Sequence, residues 1–204
     1  MQKEPLLVLG PLMPYLIDEL DKRYALEKLY EEKDALGFLQ ENAGRFEAAV
    51  TSTFTGLKAD MIDLLPAVRI VSSFGVGTDS LDVAYAEKKG IKVANTPDVL
   101  NEDTANMAIT LLLATTRDIV ANDRFVREGR WAGGESAPLA QGIESKKVGL
   151  VGLGRIGSVI AEKLLAFGCD VAYHTRNKKT DVPYSHYDDL VALARDCAVL
   201  IAIL

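Results

Sequence analysis

Along the chain, short apolar runs alternate with longer stretches in which apolar residues recur at helical spacing among polar ones. That alternation is the pattern of strands joined by helical crossovers, and it predicts an α/β class with parallel sheets. In the first half, strands are expected at Leu6–Leu9, Ala25–Leu29, Ala48–Thr51, Arg69–Ser72 and Lys92–Ala94, each followed by a polar, helix-like or turn segment. Together they predict a compact lobe over residues 1–98. Pro97 closes the last run, and Asn101-Glu-Asp-Thr offers capping side chains and early acids before Ala105, Ala108, Ile109, Leu112 and Leu113 fall on one helical stripe. A single long helix is predicted from here toward Glu128, ended by Gly129 and the Trp131-Ala-Gly-Gly stretch, with an irregular connection as far as Gly142. The second lobe, within residues 99–204, then reads as strand Lys147–Gly152, helix Ile156–Phe167, strand Asp170–His174, helix Tyr187–Arg195 and a third strand Ala198–Leu204. No internal repeat or low-complexity tract interrupts the pattern.

Composition narrows the function classes. With 204 residues, 49% hydrophobic and 25% charged, the chain has the make-up of a globular protein of one or two domains. A formal net charge of −6 gives no general attraction for nucleic acid or anionic lipid, so a small-molecule function is the better expectation. The apolar run near the N-terminus is short and ended by Pro11, which predicts neither a signal peptide nor a membrane span and places the protein in the cytoplasm. Cys169 and Cys197 sit among apolar residues, as buried free thiols would, rather than as a disulfide framework or metal site.

The sharpest local signal is Lys147-Val-Gly-Leu-Val-Gly-Leu-Gly-Arg-Ile-Gly157, in which Gly152, Gly154 and Gly157 form G-x-G-x-x-G between a predicted strand and a predicted helix. Gly152 would allow the tight turn, Gly154 the close approach of a pyrophosphate, and Gly157 the packing of helix on strand. Amides around Leu153, Gly154, Arg155 and Ile156, at a helix start, would then donate to the phosphates. The second strand bears on which dinucleotide. A site for NAD usually ends it in Asp or Glu, which accepts from the ribose hydroxyls. Here the strand end offers Thr175, Arg176, Asn177 and Lys178 instead, while Asp170 lies at the opposite end. Arg176 can grip a 2′-phosphate bidentately, Thr175 and Asn177 can donate neutral bonds, and Lys178 adds a less directional charge, so NADPH/NADP is expected over NAD. The alternative is that Arg176, Lys178 and Lys179 are solvated loop charges.

These features carry a resemblance to the D-isomer-specific 2-hydroxyacid dehydrogenases, and within them to the plant-type hydroxypyruvate and hydroxyphenylpyruvate reductases. It is carried by Ile70-Val-Ser-Ser-Phe-Gly-Val-Gly-Thr-Asp, Lys89-Gly-Ile-Lys-Val-Ala-Asn-Thr-Pro-Asp-Val-Leu, the Leu-Leu-Leu-Ala of the helix after Asp103, Arg127-Glu-Gly-Arg-Trp and the glycine motif above. The resemblance implies a flavodoxin-like substrate lobe, a Rossmann-type cofactor lobe of which the chain holds the first half, an active site in the cleft and a homodimer. It also implies that the backbone amides of Val76 and Gly77 hold the substrate carboxylate. Consecutive amides with glycine neighbours can form an anion-binding nest, and the alternative is a plain strand-to-helix turn. By the same resemblance Thr104 lies near the nicotinamide and Trp131 on a dimer arm, although a single Trp is as often a core residue.

Family chemistry uses an Arg that clamps a 2-oxo acid, a His that protonates its carbonyl oxygen and a Glu that sustains the His charge. All three are expected beyond the last predicted strand, so no catalytic residue is assigned within the chain. His174 and His186 fall outside that segment and read as packed or surface histidines. No metal site, nucleophile elbow or calcium loop stands out. The expectation is therefore NADPH-dependent reduction of a small 2-oxo acid, of hydroxypyruvate, glyoxylate or hydroxyphenylpyruvate type, by a parent enzyme. This chain would be a C-terminally truncated, weakly active or inactive portion, with one edge of strand Lys147–Gly152 left bare. A non-enzymatic dimerising module, or a dinucleotide-sensing corepressor on the same fold, are the other readings.

Overall fold

The structure, a computed structural model, describes residues 3–204. Contacts divide the chain into two compact units at Val99/Leu100. The first runs β1 (Glu4–Val8), α1 (Pro14–Asp21), β2 (Tyr24–Lys28), α2 (Ala35–Asn42), β3 (Ala48–Ser52), α3 (Ala59–Asp63), β4 (Ile70–Phe74), α4 (Val83–Lys88) and β5 (Lys92–Ala94). Its five strands are all parallel, in the order β2-β1-β3-β4-β5, the 2-1-3-4-5 winding of flavodoxin-like sheets.

Alternation along these strands assigns their faces. Leu7, Leu9, Ala49 and Val71 point to the side where Leu39 of α2, Ile62 of α3 and Ala86 of α4 pack, while Leu6, Val8 and Val50 meet Ile17 and Leu20 of α1. On β4 the same period leaves Val71 and Ser73 buried but Ile70, Ser72 and Phe74 exposed. The α1 side of the sheet is thus covered at β1 and β2 and open at β4.

The second unit runs α5 (Asn101–Thr116), α6 (Ile119–Arg127), β6 (Lys147–Val151), α7 (Arg155–Ala166), β7 (Asp170–His174), β8 (Ser185–His186), α8 (Leu190–Asp196) and β9 (Val199–Ala202). Strand order is β8-β7-β6-β9, all parallel, which is the 3-2-1-4 beginning of a dinucleotide-binding sheet. Val148, Leu150, Val171 and Tyr173 form one core with Ile160, Ala161 and Leu164 of α7 and Ala105, Ile109 and Leu112 of α5. Asp189 caps α8, its carboxylate accepting from the Val191 and Ala192 amides at 3.2 and 3.1 Å.

Four expectations need correction. The predicted single helix is two, because Asp118 takes the left-handed conformation (φ 51°, ψ 36°), which Asp tolerates better than most residues and which no apolar period reveals. Leu100 occupies the cap position of α5 without a side-chain cap bond. The helix expected from Tyr187 starts at Leu190, because Tyr187 is still tied to the sheet through its amide bond to the Tyr173 carbonyl. Finally, the strand at Lys147 has no bare edge. It pairs with β7 on one side and β9 on the other, so β9 is the fourth strand of its sheet. The intervening β8 is only Ser185–His186, too short and polar to read as a strand. The edges of the sheet are β8 and β9, and beside β9 Ala108, Leu111 and Thr115 of α5 and Leu200 and Ala202 line a groove of about 360 Å³.

At the other end of this sheet, Lys147 Nζ lies 2.7 Å from Asp196 and 3.7 Å from Asp170, and the Tyr187 hydroxyl also donates to Asp196. The Lys147 ammonium and then the Tyr187 hydroxyl hold the Asp196 carboxyl below its usual value, while Asp196 raises Lys147. A lowered carboxylate stabilises the fold above its unfolded-state value and loses that effect as pH falls through the folded one. Asp196→Asn is expected to lower the urea midpoint near neutrality, with wild-type and variant curves converging as pH is taken down to about 3.

Candidate cofactor and substrate site

The G-x-G-x-x-G segment forms the turn from β6 into α7. Gly152 has φ +106°, and a Cβ there would lie 2.1 Å from the Ile203 carbonyl oxygen, so backbone from the β9 end fills the space a side chain would need. A Cβ on Gly157 would lie 2.7 Å from the Gly152 carbonyl oxygen, which is how the helix comes so close to the strand. Around Gly154 nothing stands within 4 Å of a built Cβ. The three glycines therefore divide into two required by the protein's own packing and one that faces open space.

Gly154 is the N-cap of the 12-residue α7, with no side-chain cap bond, and the Ser158 amide donates to the Gly154 carbonyl (3.0 Å). Amide donors and the positive end of the helix dipole thus gather around Leu153, Gly154, Arg155, Ile156 and Gly157, as phosphate binding needs. β6 lies between β7 and β9, where the strand order reverses. The Ile203 amide bonds the Val151 carbonyl and the Gly152 amide the His174 carbonyl, at 2.9 and 3.0 Å. Ligands of open α/β sheets occupy this position.

The Gly152–His174 bond also brings the second predicted cluster beside the first. Beyond β7, Thr175 is half-buried and Arg176, Asn177 and Lys178 are exposed. Thr175 Oγ1 donates to the Asn177 carbonyl (2.7 Å), and among the described residues Arg176 and Lys178 form no ion pair. His174 and His186 are both structural in their contacts. His174 Nδ1 lies 2.9 Å from the Tyr187 carbonyl, and His186 Nε2 lies 3.3 Å from the Thr175 carbonyl. Cys169 is buried, with its thiol donating to the Ile143 carbonyl, and Cys197 is half-buried; burial pushes both thiols up.

In the first unit, Val76 and Gly77 sit on the loop leaving β4. Gly75 has φ +149°, and a Cβ there would lie 2.3 Å from Thr53 Cγ2. The loop is braced by two residues from the end of β5. Thr96 Oγ1 accepts from the Gly75 amide (3.2 Å), the Thr96 amide donates to the Gly75 carbonyl (3.0 Å), and Asn95 Nδ2 donates to the Val76 carbonyl (2.8 Å). With that carbonyl held, the Val76 and Gly77 amides donate to no protein group among the described residues. Asn95 and Thr96 lie in the Lys89–Leu100 segment, where nothing in their spacing marks them as braces. Thr104 is half-buried in the first turn of α5, its amide donating to the Leu100 carbonyl (2.9 Å).

A flavodoxin-like unit followed by a 3-2-1-4 sheet with a glycine turn at its switch point is the architecture of two-lobed α/β dehydrogenases. The chain belongs to the D-isomer specific 2-hydroxyacid dehydrogenase family, whose catalytic-domain profile matches residues 6–196. It is 41% identical over 195 residues to a hydroxyphenylpyruvate reductase of Plectranthus scutellarioides, covering 96% of this chain and 62% of that protein. A 2-hydroxyacid dehydrogenase from Ketogulonicigenium vulgare Y25 superposes with TM-score 0.93 at 33% identity, covering 100% of this chain and 64% of that one. An NADPH-dependent glyoxylate/hydroxypyruvate reductase from Sinorhizobium meliloti, solved with NADP and malonate, gives TM-score 0.86 at 34% identity, covering 100% and 63%. The chain therefore spans less than two thirds of the length of these relatives.

Proposed function

We propose that residues 1–204 supply the substrate-carboxylate loop and the adenosine half of the cofactor site of an NADPH-dependent reductase acting on small 2-oxo acids of the glyoxylate, hydroxypyruvate or hydroxyphenylpyruvate class. The observation that carries this is the loop after β7. It sets Thr175, Arg176, Asn177 and Lys178, with no carboxylate among them, beside the Gly152–Gly157 turn. The adenosine end of NADPH differs from that of NADH by a phosphate on the ribose, and a cationic loop favours the first as a carboxylate would favour the second. When bound, NADPH supplies the hydride. The residues here bind and orient: Gly152 to Gly157 receive the pyrophosphate, Thr175 to Lys178 the 2′-phosphate, Thr104 the nicotinamide side, and the Val76 and Gly77 amides the carboxylate of the 2-oxo acid. Support from relatives is the named activity of the proteins above, one of them NADPH-dependent. Calorimetric titration of the chain with NADPH and NADH tests the reading. NADPH should bind more tightly, and equal affinities would remove the 2′-phosphate assignment.

The same reading includes a homodimer of cytoplasmic enzyme subunits. From α5 through the segment after α6, Met107, Leu111, Val120, Val126, Trp131 and Leu139 are exposed, Trp131 at 70% and Leu139 at 99%. So many large apolar side chains on one unit suit a protein interface. Among the described residues, no helix is long and apolar enough to cross a membrane. Sedimentation should give a dimer mass, and Trp131→Glu should shift it to the monomer; an unchanged mass would remove Trp131 from the interface. The interaction-module reading shares this surface and differs in needing no catalytic Arg, Glu or His.

A further inference from the structure

The loop that carries the proposed phosphate-reading charges is short and irregular, so its rigidity has to come from elsewhere in the fold. A loop that is ordered only on binding spends part of the ligand's interaction energy on its own lost freedom. Tyr173, one residue before the end of β7, lies fully buried in the core shared with α7. Its hydroxyl accepts from the Lys179 amide (2.9 Å) and donates to the Lys179 carbonyl (3.2 Å). A side chain at the near end of the loop thereby holds both backbone groups of the residue at the far end.

Two further contacts fit the same pattern. His186 is in register with Tyr173 on β8, their ring centroids 5.0 Å apart, and its Nε2 reaches the Thr175 carbonyl. Thr175 Oγ1 bonds the Asn177 carbonyl. The anchored positions are thus 175, 177 and 179, and Arg176 and Lys178 occupy the positions between, while the third cation, Lys179, is held by its backbone.

We propose that Tyr173 is a positioning residue for recognition of the adenosine 2′-phosphate: its hydroxyl closes the loop 175–179 so that Arg176 and Lys178 are presented in a fixed register. The inference rests on reading this loop as the 2′-phosphate site. A phenylalanine at 173 keeps the ring packing and deletes both bonds, so it separates positioning from folding.

The test uses adenosine 2′,5′-bisphosphate and adenosine 5′-monophosphate, which need only the adenosine half of the site, in calorimetric titrations of the whole chain. For Tyr173→Phe, bisphosphate affinity is expected to fall about five- to tenfold, the worth of one or two ordinary hydrogen bonds, and monophosphate affinity less than about twofold. In an Arg176→Ala background the Tyr173 substitution should cost the bisphosphate less than it does in the wild type, because only Lys178 is then left to be presented. Equal losses for both ligands, no loss for either, or an additive loss in the double variant would overturn the proposal. A wild-type chain that binds the two ligands equally would overturn the 2′-phosphate reading itself and this inference with it. That result is distinct from a retained preference that Tyr173→Phe leaves untouched. Should thermal melting show Tyr173→Phe unfolded, His186→Phe, which frees the Thr175 end while keeping an aromatic ring, must give the same selective loss, and sparing of the bisphosphate would overturn the proposal.

Discussion

Replacing Arg176 with alanine is expected to weaken NADPH binding by about tenfold or more, the worth of one charge-assisted hydrogen bond at roughly 1.5 kcal/mol, while NADH binding changes less than about twofold. The guanidinium is exposed and, among the described residues, engaged in no ion pair, so the fold loses nothing when it goes. All of the cost should fall on the ligand that carries the extra phosphate. Lys178→Ala should behave in the same direction with a smaller effect, because an ammonium lacks the fork that binds phosphate bidentately. Titrating each variant with both cofactors checks the pair, and a parallel loss for NADPH and NADH would show Arg176 acting on the adenosine rather than on the phosphate. Raising the salt concentration should shrink the NADPH advantage, since the charges of this loop are exposed to solvent.

The glycine turn yields the second large effect, and it splits by position. Gly152→Ala should destabilise the second unit by on the order of 3 kcal/mol, because it forces a side chain into a left-handed conformation and against the Ile203 carbonyl at 2.1 Å. Gly154→Ala should leave the thermal midpoint nearly unchanged. Its φ of −78° and ψ of −157° suit any residue, and nothing stands within 4 Å of the added methyl. Its helix-capping loss, on the order of 0.5–1 kcal/mol, is largely offset by the reduced freedom of the unfolded chain. Cofactor affinity should nevertheless fall more than about tenfold in Gly154→Ala, as the methyl occupies the room left for a pyrophosphate. Melting curves with and without NADPH separate the two outcomes. A Gly154→Ala variant that binds NADPH normally would remove the pyrophosphate from this turn.

Much of this candidate site is legible in the sequence. The glycines of the turn announce themselves by spacing between an apolar run and a helical stripe, and the missing carboxylate is visible as soon as the second strand is placed. The contacts that make the site rigid are not. Asn95 and Thr96 brace a loop about twenty positions earlier in the chain, and Tyr173 reads as one more apolar strand residue until its hydroxyl is seen at Lys179. The Asp118 break was hidden because one residue changed its backbone while the apolar spacing continued across it.

By itself, the sequence determined what depends on neighbours along the chain: strand and helix periods, the conformational demands of the turn glycines, and the charge at the end of β7. Only the tertiary structure decided the order β8-β7-β6-β9. That order pairs β6 on both edges and brings Ile203 against Gly152. The physical reason is that strand order is settled by pairings between distant segments. A two-residue strand such as Ser185–His186 owes its place to the hydrogen bonds of its neighbour rather than to any preference of its own.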